Sequence, residues 1–215
     1  MKVGYAVLYE NGELVISKEH TILPKSIFKN YGEFEDIKVP WKFDNYKIKQ
    51  VRILNQVKAN CMKKWFACCE KLTDLLDFEN LDVSNCENFS CLFHNCQSLK
   101  DISSLKNWNV SSGKDFSSMF DHCESLMNIS ALANWNVSSG KDFFGMFAYC
   151  KLLTDISSLQ NWDVSSGITF SRIFWGCKGL IIITALENWN MEHAENINGM
   201  FSSCFNLKEI HLSDT

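Results

Sequence analysis

Residues 108–126 read WNVSSGKDFSSMFDHCESL, and residues 135–153 read WNVSSGKDFFGMFAYCKLL. The two stretches begin 27 residues apart, and the interval persists along the chain. A Phe followed three residues later by a Cys recurs at Phe66/Cys69, Phe93/Cys96, Phe120/Cys123, Phe147/Cys150, Phe174/Cys177 and Phe201/Cys204. A constant period of roughly 20 to 50 residues marks an array whose copies bury their apolar faces only against one another.

Aligned at this period, the copies show apolar columns: Leu72, Leu99, Leu126, Leu153, Leu180, Leu207; then Leu75, Ile102, Ile129, Ile156, Ile183, Ile210. Phe78, Leu105, Leu132, Leu159, Leu186 follow, and Trp108, Trp135, Trp162, Trp189 succeed Leu81 in the next column. Upstream of each Cys, Phe116, Met119, Phe120 and Cys123 stand at i, i+3, i+4 and i+7, the spacing of one helix face. Ser112 is read as an N-cap with Asp115 in the first turn, and Ser139/Asp142 repeats the pair. Each copy is therefore expected to be a short strand, a turn and about two turns of helix, since 27 residues do not hold two packed helices. The fold class expected is an α/β solenoid with a parallel sheet, and the column Asn80, Asn107, Asn134, Asn161, Asn188 is expected to form an amide ladder.

The columns Leu-x-x-Ile, Asn-Trp-Asn/Asp-Val-Ser and Met-Phe-x-x-Cys resemble the BspA-like leucine-rich repeat, a bacterial surface-protein repeat, over about residues 50 to 212. The resemblance implies a leucine-rich-repeat solenoid of the kind found in adhesins and other binding proteins. Residues 48–215 are assigned to it, with a degenerate first copy in which Met62 and Trp65 take the Phe89 and Leu92 columns. Residues 1–47 form an N-terminal α+β capping module, opening with an alternating hairpin over residues 3–17 pinned by Asn11-Gly12.

No apolar run approaches the roughly 18 residues of a membrane helix. The start of the chain reaches Glu10 before a signal-length apolar stretch forms, which leads to the expectation of a cytoplasmic protein. Charge is uneven: residues 1–71 carry 13 Lys/Arg against 8 Asp/Glu, and residues 72–215 carry 8 against 17. A net −9 on the repeats opposes a phosphate backbone lying along them. Nucleic acid is left to the basic N-terminal part: Lys42, Lys47, Lys49, Arg52, Lys58, Lys63 and Lys64.

No acid, base or nucleophile constellation stands apart from the repeat lattice, so neither an enzyme nor a cofactor is expected. Cys86, Cys91, His94 and Cys96 are close in sequence but lack a C-x-x-C spacing, and His20, His94, His122, His193 and His211 are scattered outside any metal-binding helix motif, so no metal site is expected anywhere in the chain. Binding residues are sought where an outward column is small or polar in most copies and large in one. Phe144 interrupts Ser90, Ser117, Ser171; Trp175 interrupts Ala67, His94, Asp121, Ala148; Tyr149 and Arg172 stand out similarly. These four form one expected patch on the helical flank, and Met127, Ile181 and Ile182 an apolar strip on the strand face.

The function expected is a non-catalytic protein-protein interaction module for a protein partner or nucleoprotein complex, with no small-molecule substrate and no membrane. The alternatives are a phage- or mobile-element-type intracellular inhibitor acting by acidic mimicry, a cell-surface adhesin, and nucleic-acid binding through the basic N-terminal part.

Overall fold

The computed structural model describes residues 2–208, so Ile210 and His211 lie outside the described residues. Strands β1 (Lys2–Tyr9) and β2 (Glu13–Ser17) pair antiparallel as the expected hairpin, with Leu8 opposite Leu14. Gly12 turns the chain at φ +88, where an added Cβ would stand 2.6 Å from the Lys47 carbonyl oxygen. Alternation sends Ala6, Leu8, Leu14 and Ile16 into the main core and Val7, Tyr9 and Val15 into a small second cluster. With β3 (Ile27–Glu35), β4 (Gln50–Leu54) and β6 (Asp74–Leu76), the hairpin makes a five-stranded sheet of order β3-β1-β2-β4-β6. β2 meets β4 in parallel register, so this sheet continues across residue 47 into the first copies. Glu13 is fully buried at that junction, where Arg52 Nε donates at 2.8 Å and Lys25 also pairs with it. Burial raises the Glu13 carboxyl pKa, but the hydrogen bonds and charges of Arg52 and Lys25 outweigh it and hold the group below its ordinary value.

Beyond β5 (Val57–Lys58) and β7 (Leu81–Asp82), the chain continues as stacked turns joined by backbone bonds. The stretch read as helix is the surface of that junction. Phe116, Ser118, Phe120 and His122 donate their N–H groups to Asp142, Phe144, Met146 and Ala148, each 26 residues on. The N–H groups between them close three-residue turns: Met119 to Phe116, Asp121 to Ser118, Cys123 to Phe120. Ser117 donates instead to Asp115 Oδ1, so every amide from Phe116 to Cys123 has a partner. The copy at residues 62–69 already bonds this way: Met62, Lys64, Phe66 and Cys68 donate to Asn88, Ser90, Leu92 and His94.

The expected helix is therefore absent, and among the described residues there is no α-helix at all. The physical reason lies in two left-handed residues per copy. Lys64/Cys68, Cys91/Asn95, Ser118/His122, Gly145/Tyr149, Arg172/Gly176 and Gly199/Ser203 all sit at φ between +52 and +72. Reversals every fourth residue return Phe116, Met119, Phe120 and Cys123 to one buried side, at the spacing a helix would give. Ser112 is no N-cap: its hydroxyl donates to the Ser84 carbonyl, while Asp115 accepts from Ser117 N–H and Oγ.

The expected strand in every copy is also missing after β6. At Ile102, Ile129, Ile156 and Ile183 the backbone bends (φ near −120, ψ 16 to 20) straight into a 3-10 turn such as Ser103–Leu105. Asp101, Asn128 and Asp155 accept the N–H two residues on, and these side-chain turns displace a strand. Asn109, Asn136 and Asp163 do the same at the next corner. The amide ladder is a further correction. Asn80 Nδ2 reaches the Ile53 carbonyl, but Asn107, Asn134, Asn161 and Asn188 are exposed. The neighbouring indoles supply the bonds: Trp108, Trp135, Trp162 and Trp189 Nε1 donate to Phe78, Leu105, Leu132 and Leu159 carbonyls at 2.9 to 3.1 Å.

The core is a set of like-on-like stacks. Phe93, Phe120, Phe147, Phe174 and Phe201 lie 5.6 to 5.9 Å apart within 12° of parallel, and Phe89, Phe116, Phe143 and Phe170 form a second column. Five of the six lattice cysteines are more than filler. Cys96, Cys123, Cys150, Cys177 and Cys204 Sγ donate to the Phe carbonyl one copy back, at 3.0 to 3.3 Å. Ile197, in the column of Phe116 and Phe170, is 53% exposed because no described copy stacks on it.

Left-handed backbone at a residue with a Cβ costs about 1–2 kcal/mol relative to glycine. Ser118 occupies the position that Gly145 and Gly199 fill in other copies. Ser118→Gly is expected to stabilise the fold by about 0.5–1 kcal/mol in urea unfolding, net of the added backbone entropy. A loss of stability would contradict the left-handed assignment.

Candidate interaction surface

The ladder decides which outward side chains meet. Tyr149 N–H donates to the Trp175 carbonyl at 2.6 Å, and Trp175 N–H to the Arg172 carbonyl at 2.9 Å. Residues from successive copies are thus held at one strand-like spacing, and their side chains form a row. The Tyr149 and Trp175 rings lie 5.7 Å apart, the Arg172 guanidinium 4.1 Å from the Trp175 ring centre, and 6.0 Å from that of Phe144. All four residues of the expected patch therefore come together.

Gly176 makes the row possible, since a Cβ there would meet Tyr149 Cδ1 at 2.8 Å. On its other side Tyr149 stacks on His122 at 4.3 Å. Phe144 is 39% exposed and Arg172 is exposed, whereas Tyr149 and Trp175 are half-buried. The surface is therefore a guanidinium held over aromatic faces, worth about 0.5–1 kcal/mol internally and open to a further contact.

The apolar strip is less continuous than expected. Ile181 and Ile182 are adjacent and exposed, but Met127 stands two copies away in the Ile181 column, with exposed Thr154 between. Leu152 was missed: it is exposed where Ser98, Ser125 and Gly179 occupy its column, the same kind of departure that singled out Phe144.

The basic N-terminal residues are held in different ways. Arg52 is engaged by Glu13 and Asp77, Lys58 pairs with Asp82 at 3.5 Å, and Lys47 lies over Phe28. Lys42, Lys63 and Lys64, with Lys38, instead line a cleft of about 810 Å³ whose wall includes exposed Ile37 and Phe43.

Two of the three cysteines considered for zinc are bonded separately. Cys86 Sγ donates to the Asn88 carbonyl and Cys96 Sγ to that of Phe66. Burial pushes the Cys86 thiol up to about 12, and raises Cys96, Cys123, Cys150 and Cys177 as well. These thiols are protonated donors at neutral pH.

With the geometry described, the chain can be compared with known proteins. The family model described as "Mycoplasma protein of unknown function, DUF285" matches residues 25–156, 60–181 and 101–214. The chain belongs to this family. Overlapping matches are the behaviour of an internally repeated sequence, and in DUF285 terms they reach from β3 through the last described copy. No curated protein matches. A solved structure, that of a leucine-rich repeat protein from Bacteroides ovatus ATCC 8483, is similar at 14% identity and a TM-score of 0.38. That similarity covers 97% of this chain and 69% of the other. Among the described residues, no helix is long and apolar enough to cross a membrane.

Thiol labelling checks the cysteine assignment. Native protein is expected to react quickly at half-exposed Cys61, Cys68 and Cys91, with Cys96, Cys123, Cys150 and Cys177 reacting only on unfolding. Rapid native labelling of all ten would contradict the sulfur-to-carbonyl bonds.

Proposed function

We propose that this protein is a non-catalytic protein-interaction module: a leucine-rich-repeat solenoid of the BspA-like kind, capped by residues 1–47, that presents a rigid side-chain row to a protein partner. The observation that carries the reading is the cluster of Phe144, Tyr149, Arg172 and Trp175, with the guanidinium 4.1 Å from the Trp175 ring. Trp, Tyr and Arg supply the largest share of binding energy at protein interfaces because they offer broad contact area at small conformational cost. Here their backbones are fixed by the inter-copy ladder, so little order remains to be imposed on binding. Repeat arrays bind through such extended surfaces, and function is carried by the residues that depart from the repeat.

The test is affinity capture from the native host with wild type, Trp175→Ala, Phe144→Ala and Ile182→Asp, each checked for native circular dichroism. Trp175→Ala is expected to recover at least tenfold less of a partner that wild type enriches, as loss of a hot-spot ring would require. Phe144→Ala should weaken recovery in the same direction, while Ile182→Asp leaves it intact. Equal recovery by folded Trp175→Ala would assign these rings to internal packing alone.

A further inference from the structure

The same ladder that assembles the aromatic row assembles a second cluster one copy earlier. His94 and Asp121 occupy equivalent positions of adjacent copies, in the column that also holds Ala67, Ala148, Trp175 and Ser202. His122 follows Asp121 directly, in the column of Cys68, Asn95, Tyr149 and Gly176. Asn95 N–H donates to the Asp121 carbonyl at 2.7 Å, and His122 N–H to the Ala148 carbonyl at 2.8 Å, so the backbones beneath all three side chains are locked. One potential ligand atom from each of His94, Asp121 and His122 lies within 4.8 Å of the others.

One detail points to a ligand rather than to a closed hydrogen-bond triad. His122 Nδ1 is 2.6 Å from Asp121 Oδ1 and so is already paired. His94 Nδ1 lies 3.2 Å from Asp121 Oδ2 but without hydrogen-bond alignment, and this ring nitrogen is shut off from solvent with no hydrogen-bond partner. A nitrogen enclosed in that way carries a desolvation cost that another occupant of the cluster would remove.

We propose that His94, Asp121 and His122 form a binding site for a divalent transition-metal ion, with Zn²⁺ the best-matched representative. Two imidazole nitrogens and one carboxylate oxygen are a borderline donor set suited to Zn²⁺ and its neighbours, not to Ca²⁺ or Mg²⁺, which take oxygen. Ligands about 2.0–2.2 Å from a tetrahedral Zn²⁺ stand roughly 3.3 Å from each other. The 3.2 Å between His94 Nδ1 and Asp121 Oδ2 already meets that; the 2.6 Å between His122 Nδ1 and Asp121 Oδ1 has to open, and ligand atoms now within 4.8 Å of one another have to draw together around the ion by side-chain rotation. Three protein ligands leave the fourth position to water or to an outside donor. Half-exposed rings keep the site reachable from solvent, and the Tyr149 ring, stacked on His122, fixes that imidazole's orientation. The inference does not depend on the interaction reading of the neighbouring row.

The lattice itself supplies variants compatible with the fold: His94→Ala takes the residue of Ala67 and Ala148, and His122→Asn takes that of Asn95 at the same left-handed position. Reduced full-length protein would be titrated with Co²⁺ and followed by visible absorption, with Zn²⁺ competition giving the affinity. One equivalent is expected, with a spectrum free of thiolate charge-transfer bands. His94→Ala and His122→Asn should each weaken binding by at least about tenfold. A Cys61→Ser/Cys68→Ser/Cys91→Ser variant should bind as wild type does. Absence of stoichiometric binding in wild type, unchanged affinity in both histidine variants, or loss of binding in the cysteine variant would overturn the proposal.

Discussion

One constraint governs this chain: alternate backbone N–H groups leave their own copy and bond to the carbonyl 26 residues later. Once Phe116, Ser118, Phe120 and His122 donate forward, the amides between them must find partners nearby, and three-residue turns satisfy them. Such turns demand left-handed residues at two points per copy, where Gly recurs at Gly145, Gly176 and Gly199 while Lys64, Cys68, Cys91, Tyr149 and Arg172 hold the same conformation despite their side chains. Packing follows from the same bonds. Equivalent side chains come to lie one spacing apart, so a Phe meets a Phe, and the indoles from Trp108 to Trp189 and the lattice thiols from Cys96 to Cys204 find carbonyls in the copy behind them. A buried donor left without that carbonyl would cost about 1–3 kcal/mol, which argues for why these two columns keep residues that can donate.

Much of this was legible from residues alone, because the period and the inward columns require only counting. Leu126, Ile129, Phe116, Met119 and Cys123 are all buried as their columns demand. Helix and ladder were not distinguishable by that count: an i, i+3, i+4, i+7 pattern arises equally from helical rotation and from reversals at Ser118 and His122. The discriminating signal was present but unused. Asp or Asn two residues before Ser recurs at Asp101/Ser103, Asn109/Ser111 and Asp115/Ser117, three side-chain-capped turns in one copy. Asn107 attracted the structural role because an amide both donates and accepts, yet the neighbouring Trp108 buries more surface and carries its donor inward.

The candidate interaction surface was legible in so far as it consists of departures from the repeat. Phe144, Tyr149, Arg172 and Trp175 were each conspicuous in their columns, and a shared copy spacing was enough to place them together. Leu152 carried the same signal. The cluster of His94, Asp121 and His122 did not, because each of its members is polar in an outward column and therefore unremarkable by itself. Its meaning comes from adjacency across copies, which a reading along the chain does not display.

The most direct test of the ladder is the hydrogen-bond scalar coupling measured by NMR between the amide nitrogen of Phe120 and the carbonyl carbon that accepts from it. The bonding described here predicts a coupling from Phe120 nitrogen to the Met146 carbonyl carbon. A coupling to the Phe116 carbonyl carbon, four residues back as in a helix, would contradict the account.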